Sequence, residues 1–509
     1  MSIEILHLTE PKLQFGEYFE HEDTKTGLAE FGPFGKSVEG LHPAEIKLGF
    51  IGTRETIEGA KEWIEECKGE IESENIKEIE SAATAQDSSS QISLLSQGGT
   101  SEEAEEESRY RVYKILNRDF IGFSKSSRFE SEFQTNQRWD RVLQPRNIDD
   151  VLKLPDKEER ILRLVDLFEH EIRTLSENSP SPQVIILALT PEMLKNAHAV
   201  QLTGNFYLNF RRAIKARAMK WKIPIQLIQQ ATVQGKGADI QEKATRAWNF
   251  CTALYYKADG IPWRSASVER DTCFVGISFF VARDVKGRIA MRSSVAQAFD
   301  YLGQGLIVRG DPFAWDEDKN GRSPHLRRED ARKLIRTTLE RYRDVQGTPP
   351  RRVVLHKRSR YWGEDHGEYD ELTGLYEGIN DVFSRCETDF VTLSQSGIRL
   401  FREGRYPPAR GTYINVNQTA HLLYTAGFVP YLDTFPGSYV PSPWQIVEHH
   451  GGSSMKELFR EVLELTKMNV NNCSYADGVP ITLSFSEKIG EIMKHAEGQD
   501  IQTHYKFYM

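Results

Sequence analysis

The run VIILAL, Val184–Leu189, is six apolar residues with no polar interruption. A strand with one wet face alternates apolar and polar residues. An unbroken run of this length reads as a strand buried on both faces, which requires helices above and below it. The chain supplies those helices in alternation. Upstream, IKLGFIGTRETIEGAKEWIEECKG predicts a strand over 46–51. A helix follows, with Thr53 as its cap and Glu58, Trp63 and Ile64 within it. EERILRLVDLFEHEIRTL predicts a helix over 158–175. Downstream, IPIQLI is short, apolar and β-branched and predicts another strand. EKATRAWNFCTALYYKADG predicts a helix over 242–260, ending in Lys257 with Gly260 as its stop. This alternation places the chain in the α/β class, with a Rossmann-like sheet and crossover helices.

A second α/β unit begins near residue 271. TCFVGISFFVARDVKGR predicts a hairpin, and DARKLIRTTLERYRDVQG an amphipathic basic helix. The strand RRVVLHKRSRYW follows, with His356, Arg358 and Arg360 alternating on one side. Further strands are predicted at FVTLSQ, GTYINV and HLLYTAGFVPYL, and helices at SMKELFREVLELTKMNV and FSEKIGEIMKHAE. TGLAEFGPFG, at 26–35, reads as a Gly/Pro loop. No internal repeat is present. A dinucleotide fingerprint is missing too: LGFIGTRETIEG offers Gly49 and Gly52 without a third glycine in place.

Composition bounds the rest. A chain of 509 residues has room for two to four domains. The five cysteines, Cys67, Cys251, Cys273, Cys386 and Cys473, are scattered and form no CxxC pair. That argues against a disulfide framework or zinc module and for a reducing compartment. The N-terminus has no signal-peptide pattern and no apolar run is long enough to span a bilayer. The expectation is a soluble, cytoplasmic protein. Eleven acids against one base, Lys77, lie between Glu70 and Glu107. That local charge of -10, against -9 for the whole chain, leaves the remainder at +1. The Ser- and Glu-rich tract 81–108 is read as part of a disordered acidic insertion at about 70–108, a solvated spacer.

Against that background RRAIKARAMKWKIPIQLIQQ, residues 211–230, stands out. It carries six bases and no acid in its first twelve residues. The spacing predicts a helix over 211–222, ended by Pro224. Arg211 and Lys215 share one face, and Gln226 comes from the strand that follows. All three present N–H donors, which suit a phosphate or another anion. A solvated basic face is the alternative that the stretch alone leaves open.

Several segments, taken together and in order, resemble the short prokaryotic Argonautes. They are GLAEFGP, IKLGFIGT, KARAMKWKIPIQLI, ALYYKADGIPW, VVLHKRSRYW, YTAGFVPYL, LTKMNVNNCSYADGVPITLSFSEKIGEI and HYKFYM. The resemblance implies a Rossmann-like MID domain over 41–265, after an N-terminal lead over 1–40. An RNase H-like PIWI domain then fills 266–509. It implies a short 5′-phosphorylated guide, RNA in the common case, whose phosphate is held by Arg211, Lys215, Gln226 and Lys257. A divalent cation, Mg in the usual case, would sit at that phosphate, with the α-carboxyl of Met509 as a ligand. In slicing relatives a carboxylate tetrad holds two metal ions. Here Ser278 stands at the first position, Lys357 and Arg358 at the third, and Glu487 near the last. The resemblance therefore implies no catalytic residues, and Arg358 and Arg360 on the backbone of a guide–target duplex. It further implies a heterodimer with an APAZ-containing effector, forming higher oligomers on activation. That partner would carry a TIR or sirtuin-like NAD-consuming domain, or a nuclease. The complex would recognise single-stranded DNA in prokaryotic immunity. The alternative is an autonomous guide-dependent endonuclease.

Overall fold

The computed structural model describes residues 3–73, 118–202, 207–235, 240–267, 271–283, 289–299, 302–403, 407–417, 420–435, 440–496 and 501–509. The acidic tract expected to be disordered lies outside the described residues from 74 onward. Its two flanks meet. Ile71 and Phe120 exchange backbone hydrogen bonds of 3.0 and 2.8 Å, and Ser73 Oγ donates to Asp119 Oδ1 at 2.7 Å.

The first sheet has four strands in the order Glu132–Val142, Glu45–Gly52, Val184–Leu189, Ile225–Gln229, every neighbouring pair parallel. All six residues of Val184–Leu189 are buried, as the apolar run requires. Thr53 caps the helix Arg54–Lys68 by accepting from Thr56 N at 3.2 Å. The helix Lys157–Ser176 buries Ile161, Leu164, Val165, Phe168, Ile172 and Leu175, one helical stripe.

Three boundaries differ from the sequence reading. The basic helix is shorter, Phe210–Ala218, and is followed by a 3-10 turn, Met219–Trp221. Lys222, at φ 56°, turns the chain, so Pro224 opens the strand instead of ending the helix. The helix Lys243–Lys257 leaves through Asp259 at φ 69°, not through Gly260. Gly260 is needed for room: a Cβ there would strike the Tyr255 ring. The stretch at 26–35 is not all loop, because Thr24–Phe31 is a helix capped by Asp23. Within it Gly27 serves close packing against Phe15, and Gly32, at φ 74°, turns the chain out of the helix.

The second sheet has ten strands among the described residues. Its centre is Thr272–Arg283, antiparallel to Ile289–Phe299, which is antiparallel to Gly305–Arg309. On the other side Arg352–Lys357 and Glu387–Gln395 add in parallel. This is the RNase H-like arrangement. Trp444–Gly451, Ala420–Leu423 and Thr412–Val416 extend it in antiparallel fashion. Of the expected strand over 421–432, only the start is one. The outermost strand is Ile3–His7, so the N-terminal lead is built into the far sheet. The pair Leu13–Gln14 and Glu20–His21 joins Arg264–Ser265 in a third small sheet.

Helices cover both faces of the large sheet. Cys273, Val275 and Ile277 pack with Leu334, Ile335 and Leu339 of Arg328–Gln346 and Leu375 of Glu371–Val382. Phe274 and Val354 face the other way, in a core shared with Leu483, Phe485 and Ile489 of the closing helix, Ile481–Met493. That helix lies close on the central strand because Gly276 has no side chain. A Cβ at Gly276 would collide with the Thr482 carbonyl. Two arginines of Arg328–Gln346 are engaged: Arg332 is bidentate to Asp381 at 2.7 and 2.8 Å, and Arg328 pairs with Glu377. Among the described residues no helix is long and apolar enough to cross a membrane.

Candidate functional site

A cavity of about 1080 Å³ opens between the two sheet layers. Arg211, Arg212 and Lys215 of the basic helix line it, with Gln226 of the next strand, Lys488 of the closing helix, and Tyr508 and Met509. The basic helix delivers its cations there because Ala213, Ile214, Ala216 and Ala218 bury the opposite stripe. Asn209 caps the helix by accepting from Arg212 N at 3.2 Å.

Of the four residues expected at a phosphate, three line the cavity wall and one stands behind it. Lys257 is 1% exposed. It donates to Ile225 O at 2.9 Å and to Gln226 Oε1 at 2.6 Å. Its contribution is to orient Gln226. Lys215 is half-buried by surface area, yet the cavity walls crowd out much of its water. Its Nζ donates to Tyr508 O at 3.4 Å.

The electrostatics are one-sided. Loss of water, then Arg211 and Lys488, push Lys215 down to about 7. Burial, then Lys215 and Arg211, hold Lys257 well below the usual lysine range. Among the described residues Arg211, Lys215, Lys257 and Lys488 form no ion pair with an acid. Elsewhere four buried bases face carboxylates. Lys357 pairs with Glu371, Arg352 with Asp389, and Arg410 and Lys467 with Glu10. A cluster of like charges with no ion pair to an acid suits an anion, which replaces lost water with charge-assisted hydrogen bonds.

A divalent cation is a poorer fit. Such ions take oxygen ligands, carboxylates above all. The two acidic side chains bordering the cavity are engaged, Glu491 by Arg212 at 2.6 Å and Glu487 by Arg358. Met509 lines the cavity, as the expected ligand position requires. The side chains converging on Lys215 are nitrogen donors. Among the described residues no group of three or more His, Cys, Asp or Glu could hold a metal.

The second expected site lies at the centre of the large sheet. Ser278 Oγ donates to Ser486 O at 2.9 Å, which ties the central strand to the closing helix. One residue on, Glu487 pairs with Arg358, whose guanidinium also lies 5.2 Å from the Trp444 ring centre. The structure thus brings Ser278, Arg358 and Glu487 into one neighbourhood. It does not bring Lys357 there. Lys357 is the last residue of its strand and points to the opposite face, into Glu371 and between Phe279 and Tyr361. Arg358 and Arg360 lie beyond the strand, which ends at Lys357, so they do not alternate along it. Both are exposed, and Arg360 forms no ion pair among the described residues. Sequence reading missed Lys488, Arg212 and Glu491. No local signal marks Lys488, which meets Lys215 only through the packing of the closing helix.

Two solved structures illustrate the likeness of the whole chain. One is Clostridium butyricum Argonaute bound to a guide DNA with a 5′ deoxycytidine and a 19-mer target DNA. The TM-score is 0.59 and the identity 16%, over 100% of this chain and 55% of that one. The other is Drosophila Piwi, with a TM-score of 0.53 and 11% identity, over 99% of this chain and 56% of that one. The chain spans about half the length of these structures. No family model matches the sequence, and no curated protein does. At such identities the likeness speaks to the fold, and the chain has the α/β fold of Argonaute and Piwi structures, a Rossmann-like MID domain followed by an RNase H-like PIWI domain.

Proposed function

We propose that the chain binds a short guide nucleic acid by its 5′-phosphate and uses it to hold a complementary strand. The observation that carries this reading is the cationic cluster of Arg211, Lys215 and Lys488 in an open cavity, with Lys257 behind its wall and none of the four in an ion pair among the described residues. The Clostridium butyricum Argonaute, of like fold, is bound to guide and target DNA. By the resemblance in sequence, the guide here is RNA and the target single-stranded DNA.

The PIWI domain acts in this reading as a binding surface and not as a nuclease. Two-metal hydrolysis needs carboxylates that hold both ions. Ser278 stands in place of one, and Glu487 is neutralised by Arg358. The effector activity then belongs to a separate chain, an APAZ-containing partner with a TIR, sirtuin-like or nuclease domain. Target binding switches that partner on in defence against invading DNA. The test is direct. The purified chain, loaded with 5′-phosphorylated guide RNA, is incubated with complementary single-stranded DNA and manganese. Capture without cleavage is expected; a cut opposite the guide centre would establish the endonuclease reading instead. Sequencing the co-purified nucleic acid and identifying the co-expressed partner test the rest.

A further inference from the structure

The closing helix Ile481–Met493 walls the cavity from the PIWI side. Its charged residues have separate duties. Glu487 turns to Arg358, and Glu491 holds Arg212 at 2.6 Å and pairs with Lys494. Lys488 lies between them and faces the cavity, 5.5 Å from the Phe485 ring centre. Among the described residues it forms no ion pair, and its charge bears on Lys215.

We propose that Lys488 is a direct ligand of the guide's 5′-phosphate, and that this site holds the phosphate without a divalent cation. The inference rests on the reading of the cavity as a 5′-phosphate site. A terminal phosphate carries a charge of about -1.5 to -2 and three strong acceptor oxygens. Arg211, Lys215 and Lys488 answer that charge from two domains, with Lys257 behind Gln226. A metal ion would have to enter beside these cations and find oxygen ligands. Apart from the α-carboxyl of Met509, which lines the cavity, the nearby oxygens are already used. Asn469 Oδ1 accepts from Asn471 N at 3.0 Å, and Asn472 Oδ1 accepts from Ser474 N at 3.2 Å. Tyr508 O faces Lys215 Nζ. Lys488 thus supplies from the chain itself the positive charge that an ion would bring. It also makes guide binding a contact across both domains, because the closing helix is seated on the central PIWI strand.

The test measures binding of 5′-phosphorylated and 5′-hydroxyl single-stranded RNA by anisotropy. It is run at matched ionic strength with EDTA or with magnesium. The expected result is a preference for 5′-phosphate that is the same in both buffers. Lys488→Gln is expected to weaken the phosphorylated guide about tenfold, the loss of one charge-assisted contact, and to leave the hydroxyl guide unchanged. Lys488→Arg should retain most of the affinity. Lys488 is exposed, so these variants leave the core intact. Affinity that collapses in EDTA and returns with magnesium would overturn metal independence. An unchanged Lys488→Gln variant would remove Lys488 from the site. Absence of any 5′-phosphate preference in the wild type would instead overturn the phosphate reading itself, and the inference with it.

Discussion

Replacing Lys215 by methionine should stabilise the guide-free protein while weakening its grip on a guide. A lysine moved from 10.5 to about 7 is a group whose charged form the fold disfavours. The sign follows from linkage. The cost is fully present below about pH 7, where folded and unfolded chains are both protonated. It fades as pH rises from about 7 to 10.5, where the unfolded chain also loses the proton. Taken at face value the shift sets a ceiling of about 5 kcal/mol. The cavity is open to water and the lysine stem is flexible, so about 1–2 kcal/mol is the expected gain. Methionine keeps the length and apolar stem and removes the charge. Thermal unfolding of guide-free protein at pH 6.5 and 9.5 reads the effect. The variant should melt a few degrees higher at pH 6.5, with a smaller gap at pH 9.5. Loss of one charge-assisted bond, about 1.5–3 kcal/mol, should weaken 5′-phosphorylated guide by roughly tenfold to a hundredfold. A variant that melts lower at pH 6.5, or binds phosphorylated guide as tightly as wild type, would refute the reasoning. In that case Lys215 supports the fold and the cluster is not an anion site.

Arg358→Ala with Arg360→Ala should weaken target capture and flatten its salt dependence, with binding of the guide's 5′ end little changed. The exposed Arg358–Glu487 pair is worth little, so a duplex phosphate can compete for Arg358, and titration of target at two salt concentrations checks the slope. Gly276→Ala should force the closing helix off the central strand, costing about 1–3 kcal/mol, visible as a lower melting temperature and a weaker hold on phosphorylated guide. Deleting 81–106 should leave solubility and melting unchanged, because Ile71 and Phe120 already hold the two flanks together; insoluble protein would show that the tract is structural.

How much of this was legible in the sequence depends on the distance over which each feature is decided. The run Val184–Leu189 was readable because burial on both faces leaves no polar position, a local signature. Arg211, Lys215 and Gln226 were readable for the same reason: helix period and the following strand place them together within sixteen residues. The role of Lys257 was half legible. Its position on the next helix is local, but its place behind Gln226 depends on how that helix lies against the sheet. The place of the chain's start was not legible, because Ile3–His7 is exposed along most of its length and finds its partner at Thr412–Val416. Periodicity tells which face of an element is apolar. It does not tell which remote polar group that element will meet. Only the tertiary structure paired Arg358 with Glu487, turned Lys357 inward to Glu371, and set Lys488 against Lys215. Those meetings are made by how helices pack, and at Gly276 a missing side chain lets the closing helix seat on the central strand.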